Sequence, residues 1–405
     1  MTRPGVRQAV ILAGGRGTRL RPLTDDRPKP MIEFHGRPFL EYLVAQMASQ
    51  GIEEIVMLLG YRADVIRSHF EDGAGWGVRI RYSVSAVDDL TARRLLVAEP
   101  MLDDRFLMLY CDNYWPIDLH RHLERFHATG ARALVTIYAN DDGYTRDNVS
   151  VDADGWVRTF DPTRSAAGLR GVEIGYGVYD RSLLQMLPAD GDAQVEHALY
   201  PALAAEGSLA ALVTRHRYYS VGSLERLSQT DRFLARSLTA VLDRDGVLNV
   251  KPPRAEYVRT AADFQWLPGS LDALRILHEA SVRVIVVSNQ AGIARGAMTA
   301  EDLDEVHAAM SAQAEAAGGR IDAVYHCPHG WDDGCDCRKP RPGMLFQAQR
   351  DWALDLSRTP FVGDDERDGL AAREAGMPFL IVDGSKSLLD HARAITAPAM
   401  AGVAP

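Results

Sequence analysis

The 405-residue chain has only four cysteines, no excess of basic residues and no long apolar run. Each shortage excludes something. Four thiols are too few for a disulfide scaffold, and three of them fall within CPHGWDDGCDC, residues 327 to 337, too close together to bridge without strain. Lys and Arg number 45 against 55 Asp and Glu, and the resulting net charge of −10 argues against binding a nucleic-acid polymer. No apolar stretch approaches the roughly 18 to 20 residues that a membrane span needs, so no membrane partner is expected. The start, MTRPGVRQAVILAGG, breaks into Gly-Gly before an export-type apolar core has formed. A cytoplasmic, reducing setting follows as the expectation, and it suits thiolates that bind metal. No internal repeat is visible, and the tail ITAPAMAGVAP reads as a frayed end.

What is present is the composition of a globular protein, 46% hydrophobic and 25% charged, at a length that calls for two cores. Short apolar runs alternate with helical patterns throughout. QAVILAG, EEIVMLLG and RFLMLYCD read as strands in the first half, and PFLEYLVAQMASQG puts Phe39, Leu40, Leu43, Val44 and Met47 on one helical stripe that stops at Gly51. In the second half LTAVLDRDG, VRVIVVSNQAG, TPFVGDD and PFLIVD read as buried parallel strands, with SLDALRILHEA and TAEDLDEVHAAMSAQAEAAGG as crossover helices. The expected class is α/β with two Rossmann-like domains, residues 1–236 and 237–405, the boundary falling where SLERLSQTDRFLARS gives way to a strand. Active sites are then expected at the carboxyl ends of strands.

The strand LTAVLD delivers Asp243 and Asp245, two residues apart and so on one side of an extended chain. One carboxylate can act as nucleophile while the other serves as acid and base, given a cation to suppress their repulsion. Ser288 and Asn289 end another strand as neutral donors for phosphate oxygens. Lys339 adds a fixed positive charge, and GDDERD offers Asp364 as a Mg2+ ligand, with Asp368 one helical turn on. Cys327, His329, Cys335 and Cys337 make a Cys3His set suited to tetrahedral Zn2+, with all four positions filled by protein, as in a structural site.

Residues 238 to 385 resemble the haloacid dehalogenase superfamily of phosphatases. Within it, LDRDGVLNV, NQAGIARGAMT, the CPH to CDCRKPRPGM stretch and VGDDERD are similar to the heptose 1,7-bisphosphate 7-phosphatases, and also to the histidinol-phosphate phosphatases. The resemblance implies that Asp243 attacks phosphorus to form an aspartyl phosphate and that Asp245 protonates the leaving alcohol, then activates water. It implies Mg2+ between Asp243, the Asp245 backbone carbonyl and Asp364, with Ser288 and Lys339 holding the transferred group. It also implies that the zinc loop clips a substrate-facing segment just before Arg338 and Lys339. The five residues between His329 and Cys335 look like the histidinol-phosphate branch, whereas GIARG and RKPRPGM look like the heptose branch. Arg295 is the expected clamp for a second phosphate, with Asn289 and Arg338 beside the substrate.

In the first half, ILAGGRGTRLRPLTDDRPKPMIEFHGRPFLEY places a glycine-rich loop after the first strand. Gly14, Gly15 and Gly17, with Thr18 next to them, let backbone N–H groups approach a nucleotide's phosphates, and Arg19 and Lys29 add charge where pyrophosphate would form. The whole pattern resembles the sugar-1-phosphate nucleotidyltransferases, of GT-A-like fold, across about residues 8 to 225. It implies a sugar phosphate and an NTP, GTP by likeness, as substrates, with Asp112 as a Mg2+ ligand. Three departures from that pattern bear on activity. Arg93 and Arg94 stand at small positions, where loss of close backbone approach is expected. Ser220 stands where a second metal-binding aspartate belongs, and only Arg164 offers a cation near the sugar site. Three overall readings result: a bifunctional enzyme making a nucleotide-activated heptose, a phosphatase carrying an inactive or regulatory transferase-like domain, or a histidinol-phosphate phosphatase. A homo-oligomer is left open.

Overall fold

The computed structural model describes residues 5–397, so part of the ITAPAMAGVAP tail lies outside the described residues. The chain divides into two compact units, Met1–Ala235 and Arg236–Pro405.

The first unit is built on a seven-stranded sheet ordered Leu209–Thr214, Ala133–Tyr138, Val172–Asp180, Arg105–Tyr110, Gln8–Ala13, Glu54–Leu59 and Arg79–Val84. Gln8–Ala13 pairs in parallel with both neighbours and is buried along its whole length, which is why its sequence is a continuous apolar run rather than an alternating one. Val172–Asp180 runs antiparallel to both of its neighbours. Its register slips between Glu173 and Gly177, around Gly175 at φ 80°, and this bulge hides the strand from pattern reading. The helix Phe39–Ser49 buries the predicted stripe and is followed by Gly51 at φ 80°.

The second unit holds a five-stranded parallel sheet in the order Ala323–Cys327, Arg283–Asn289, Thr239–Leu242, Phe361–Gly363, Phe379–Ile381. Ala240, Leu242, Val284 and Val286 enter one core cluster, while Val241, Ile285, Val287 and Phe361 enter another. Alternation along each strand thus fills both faces of the sheet, each fully buried aliphatic side chain contributing about 1.5–3 kcal/mol. The register Leu242↔Val286 and Leu242↔Val362 leaves Asp243, Ser288 and Asp364 at one carboxyl edge. The helices Ser270–Glu279 and Ala300–Ala316 form as expected, the second opened by a Thr299/Asp302 capping box. Among the described residues no helix is long and apolar enough to cross a membrane.

Candidate active sites

At the carboxyl edge of the second sheet, the Lys339 ammonium lies 2.7 Å from an Asp243 oxygen and 2.7 Å from an Asp368 oxygen, and also donates to the Val287 carbonyl at 3.1 Å. Burial works against the Lys339 charge, but the two carboxylates outweigh it and hold the ammonium above its ordinary pKa. Burial also pushes the Asp243 carboxyl up to about 7, with Asp368 adding repulsion and Lys339 opposing. Ligand atoms of Asp243, Asp364 and Asp368 lie within 4.8 Å of one another, and Asp364 Oδ1 is buried with no hydrogen-bond partner. An orphaned carboxylate oxygen facing two further carboxylates fits a divalent cation. Gly246, at φ 90°, makes the approach of Asp364 feasible, since a Cβ there would collide with the Asp364 carboxylate.

The Asp245 side chain is not part of that trio. Its carboxylate is held by the fully buried Arg244, by Asn249 Nδ2 at 3.0 Å and by Gln290 Nε2 at 3.1 Å. Gln290 also donates to Ser288 Oγ at 2.7 Å, linking the second strand's end to the acid. Asn289 exchanges two 3.0 Å bonds with the Lys339 backbone, so its amide positions Lys339.

Asp243, Asp245, Ser288, Asn289, Lys339 and Asp368 line a cleft of about 860 Å3 that also includes Lys251, Arg254, Tyr257, Trp331, Arg338, Arg341 and Arg367. Lys251 pairs with Asp364 at 2.8 Å and with Asp365, and Arg367 pairs with Asp365. Arg338 donates to the His329 carbonyl, and Arg341 to the Gly334 and Cys335 carbonyls. Arg254 makes a cation–π contact with Trp331 at 5.2 Å. Arg295, expected as the clamp, is not among the lining residues; its guanidinium lies 3.8 Å over the same Trp331 ring. The tryptophan links both arginines, a pairing that no spacing in the sequence announces.

The loop that follows strand Ala323–Cys327 gathers Cys327, His329, Cys335 and Cys337. Cys327 Sγ is 3.6 Å from both His329 Nδ1 and Cys335 Sγ, Cys337 Sγ is 3.6 Å from Cys335 Sγ, and His329 Nδ1 is 3.2 Å from Cys337 Sγ. A tetrahedron with edges of 3.2–3.6 Å has its centre about 2.0–2.2 Å from each corner, close to Zn–N and Zn–S bond lengths. Donor chemistry and size both fit Zn2+.

In the first unit, Lys29 Nζ donates to Asp112 Oδ2 at 2.5 Å. Burial opposes both charges, yet each holds the other ionised, Lys29 above and Asp112 below its usual pKa. The short strands Asn113–Tyr114 and Tyr219–Ser220 pair antiparallel and set the buried Ser220 opposite Asn113, with Val221 N donating to the Asp112 carbonyl. The Ser220 backbone therefore runs beside that of Asp112. The two groups of three or more His, Cys, Asp or Glu placed to share an ion, among the described residues, both lie in the second unit. Gly15 and Arg19 are exposed, and Gly17 takes φ 63° ahead of the Thr18–Leu20 turn. Arg164 is engaged by the Arg146 carbonyl.

Arg93 and Arg94 sit in different environments. Arg93 is exposed. Arg94 turns inward from the helix Thr91–Ala98, is 4% exposed and packs on Gly14 and Gly60, so a Cβ at either glycine would strike its guanidinium. The glycines at 14 and 60 thus make room for the Arg94 guanidinium.

Two α/β units, one with a glycine loop beside a Lys–Asp pair and the other with a nucleophile-type aspartate beside a lysine, define an enzyme of phosphoryl and nucleotidyl transfer. Comparison with known proteins agrees. The nucleotidyl transferase family matches residues 8–236, and the HAD-hydrolase-like family matches residues 336–404. A D-glycero-beta-D-manno-heptose-1,7-bisphosphate 7-phosphatase from Bordetella bronchiseptica is 42% identical over 146 residues, 36% of this chain and 80% of the relative. A Bacillus subtilis protein named "Probable glucose-1-phosphate cytidylyltransferase" is 32% identical over 231 residues, 52% of this chain and 88% of the relative. A Bacillus anthracis crystal structure, provisionally called a glucose-1-phosphate thymidylyltransferase, is 21% identical with a TM-score of 0.51, covering 57% of this chain and 96% of its own, and shows the fold alone. The chain belongs to the nucleotidyl transferase family through its first unit and to the haloacid dehalogenase-like phosphatases through its second.

Proposed function

We propose that the second unit removes the 7-phosphate of D-glycero-D-manno-heptose 1,7-bisphosphate and that the first unit then joins the resulting heptose 1-phosphate to a nucleotide from an NTP, with GTP favoured. The observation that carries the phosphatase half is the contact of Lys339 with both Asp243 and Asp368 in a cleft also lined by Arg254, Arg338 and Arg341, which form no ion pair among the described residues. Asp243 attacks phosphorus, the bond to the sugar oxygen breaks, and Asp245 gives that oxygen a proton. Asp245 then takes a proton from water as water cleaves the aspartyl phosphate. Ser288 and Lys339 bind the phosphoryl oxygens, and Arg244, Asn249 and Gln290 keep Asp245 in place. Mg2+ would be held by Asp243, Asp364 and the Asp245 backbone carbonyl, with Asp368 beside them, and would neutralise phosphate charge. Zn2+ held by Cys327, His329, Cys335 and Cys337 would order the loop that delivers Arg338 and Lys339.

In the first unit a sugar-phosphate oxygen attacks the α-phosphorus and pyrophosphate leaves, with Lys29 and Arg19 facing the departing charge and Asp112 a Mg2+ ligand. The two reactions are consecutive, which supports one pathway for one chain. Ser220 beside Asp112 favours a second reading, a phosphatase whose transferase-like unit binds nucleotide without turnover.

A rim of acid-free arginines suits a substrate with a second anionic group. Arg254→Ala should raise KM for the bisphosphate roughly tenfold and leave KM for a monophosphate such as histidinol phosphate unchanged. Arg295→Ala should act more weakly, through Trp331. An unchanged bisphosphate KM in Arg254→Ala would remove this rim from substrate reading, and faster turnover of histidinol phosphate than of the bisphosphate would overturn the substrate assignment.

A further inference from the structure

Arg94 is among the most buried charges of the first unit and has no acidic partner in contact among the described residues. Its Nη1 donates to the Leu59 carbonyl at 2.8 Å and to Ser85 Oγ at 3.0 Å. Its Nη2 donates to the carbonyls of Ala86 at 2.9 Å, Val87 at 3.0 Å and Gly14 at 3.4 Å. Every partner is a neutral oxygen. Asp88 and Asp89 act on it only at longer range, and Asp88 is itself paired with Arg16 at 3.0 Å.

The positions of those oxygens are informative. Gly14 follows the strand Gln8–Ala13, Leu59 ends Glu54–Leu59, and Ser85 to Val87 follow Arg79–Val84. These are three adjacent parallel strands, so a single planar guanidinium gathers the carboxyl ends of all three. A lysine could not span the set, because one ammonium offers three donors from one point. Burying a cation against carbonyl dipoles alone is costly, and apolar packing would tie the strand ends together at less expense of desolvation. The charge itself is therefore informative. The partly buried Lys29 is matched by Asp112, whereas Arg94 contacts no acidic side chain among the described residues. Gly15, the next residue along the loop, has open space where a side chain would be. The loop thus has Arg94 on one side and room for a ligand on the other.

We propose that Arg94 is a positioning residue for the nucleotide: it fixes the Gly14 peptide of the glycine loop and supplies an unmatched positive charge behind that loop that favours a polyphosphate in front of it. This rests on the reading of the loop as an NTP site. The ligand class is a nucleoside polyphosphate, and the base is not what Arg94 senses.

The test compares the full-length chain with Arg94→Gln and Arg94→Lys, measuring affinity for GTP and for guanosine, thermal melting and phosphate release by the second unit. Arg94→Gln is expected to weaken GTP at least about tenfold and guanosine much less, because the lost group acts on charge. Arg94→Lys should recover part of the GTP affinity, and phosphate release should stay at the wild-type rate in both. Equal weakening of GTP and guanosine would reduce Arg94 to a packing role, and unchanged GTP affinity would remove it altogether. If Arg94→Gln fails to fold in the first unit, Arg94→Met, which keeps the length without the charge, takes its place: a collapsed GTP-to-guanosine preference supports the charge, and one equal to wild type contradicts it. Wild-type protein that binds no nucleotide would overturn both the NTP reading and this inference, an outcome distinct from wild-type binding that Arg94→Gln leaves intact.

Discussion

Asp243→Asn should abolish phosphate release, lowering kcat by at least about 10⁴-fold, while the second unit stays folded. The amide cannot attack phosphorus. Folding survives because Lys339 keeps Asp368 as its partner at 2.7 Å. The same substitution carries a sign that catalysis does not show. Burial and Asp368 raise the Asp243 carboxyl from 3.8 to about 7 in the folded protein. Between those values the unfolded chain has already released the proton that the folded chain keeps, so this group's contribution to stability falls as pH rises from about 4 to 7. Above that window wild-type protein in chelator should melt lower than Asp243→Asn, and divalent cation should narrow the gap by compensating the carboxylates. Equal melting curves in chelator at pH 8 would mean that Asp243 is not under electrostatic strain, and retained turnover would remove it as the nucleophile.

Cys337→Ser should have the next largest effect. Bound zinc should fall from near one per chain to near zero by elemental analysis, and phosphate release should drop about tenfold to a hundredfold. The reason is connectivity. Cys337 lies two residues before Lys339, whose backbone is held on its other side by Asn289, and whose ammonium reaches Asp243 and Asp368. Loosening the Cys3His clip removes one of the two restraints on that backbone. Nucleotide binding by the first unit should not change. Chelation of wild-type protein should reproduce the loss, and added Zn2+ should reverse it. Full phosphatase activity in zinc-free protein would separate the loop from the chemistry.

The parts of this molecule that could be read in advance share a physical cause. Strands buried on both faces, such as Gln8–Ala13 and Arg283–Asn289, write themselves as unbroken apolar runs, and the acids that follow them are forced to the carboxyl edge. The strand Ala323–Cys327 is only half-buried, so its pattern is weak, and Val172–Asp180 is interrupted by its glycine bulge. Asp243, Lys339 and the Cys3His set come from local spacing. Arg254 does not, since its place on the cleft rim depends on Trp331, far along the chain. Arg94 shows the same limit more sharply. Its departure from the small residue that the resemblance implies was legible, whereas its inward direction depends on carbonyls at the ends of three strands. Sequence distance conceals such partners because the sheet, not the chain, makes them neighbours.

The most direct test of a two-step enzyme is phosphorus NMR of the full-length protein with D-glycero-D-manno-heptose 1,7-bisphosphate, Mg2+ and equal amounts of GTP, ATP, CTP and UTP. Orthophosphate, pyrophosphate and a single new NDP-sugar, the GDP sugar by our reading, are expected to appear together. Orthophosphate with heptose 1-phosphate left standing would contradict the transferase half and leave Ser220 beside Asp112 as the reason. An untouched bisphosphate would contradict the account as a whole.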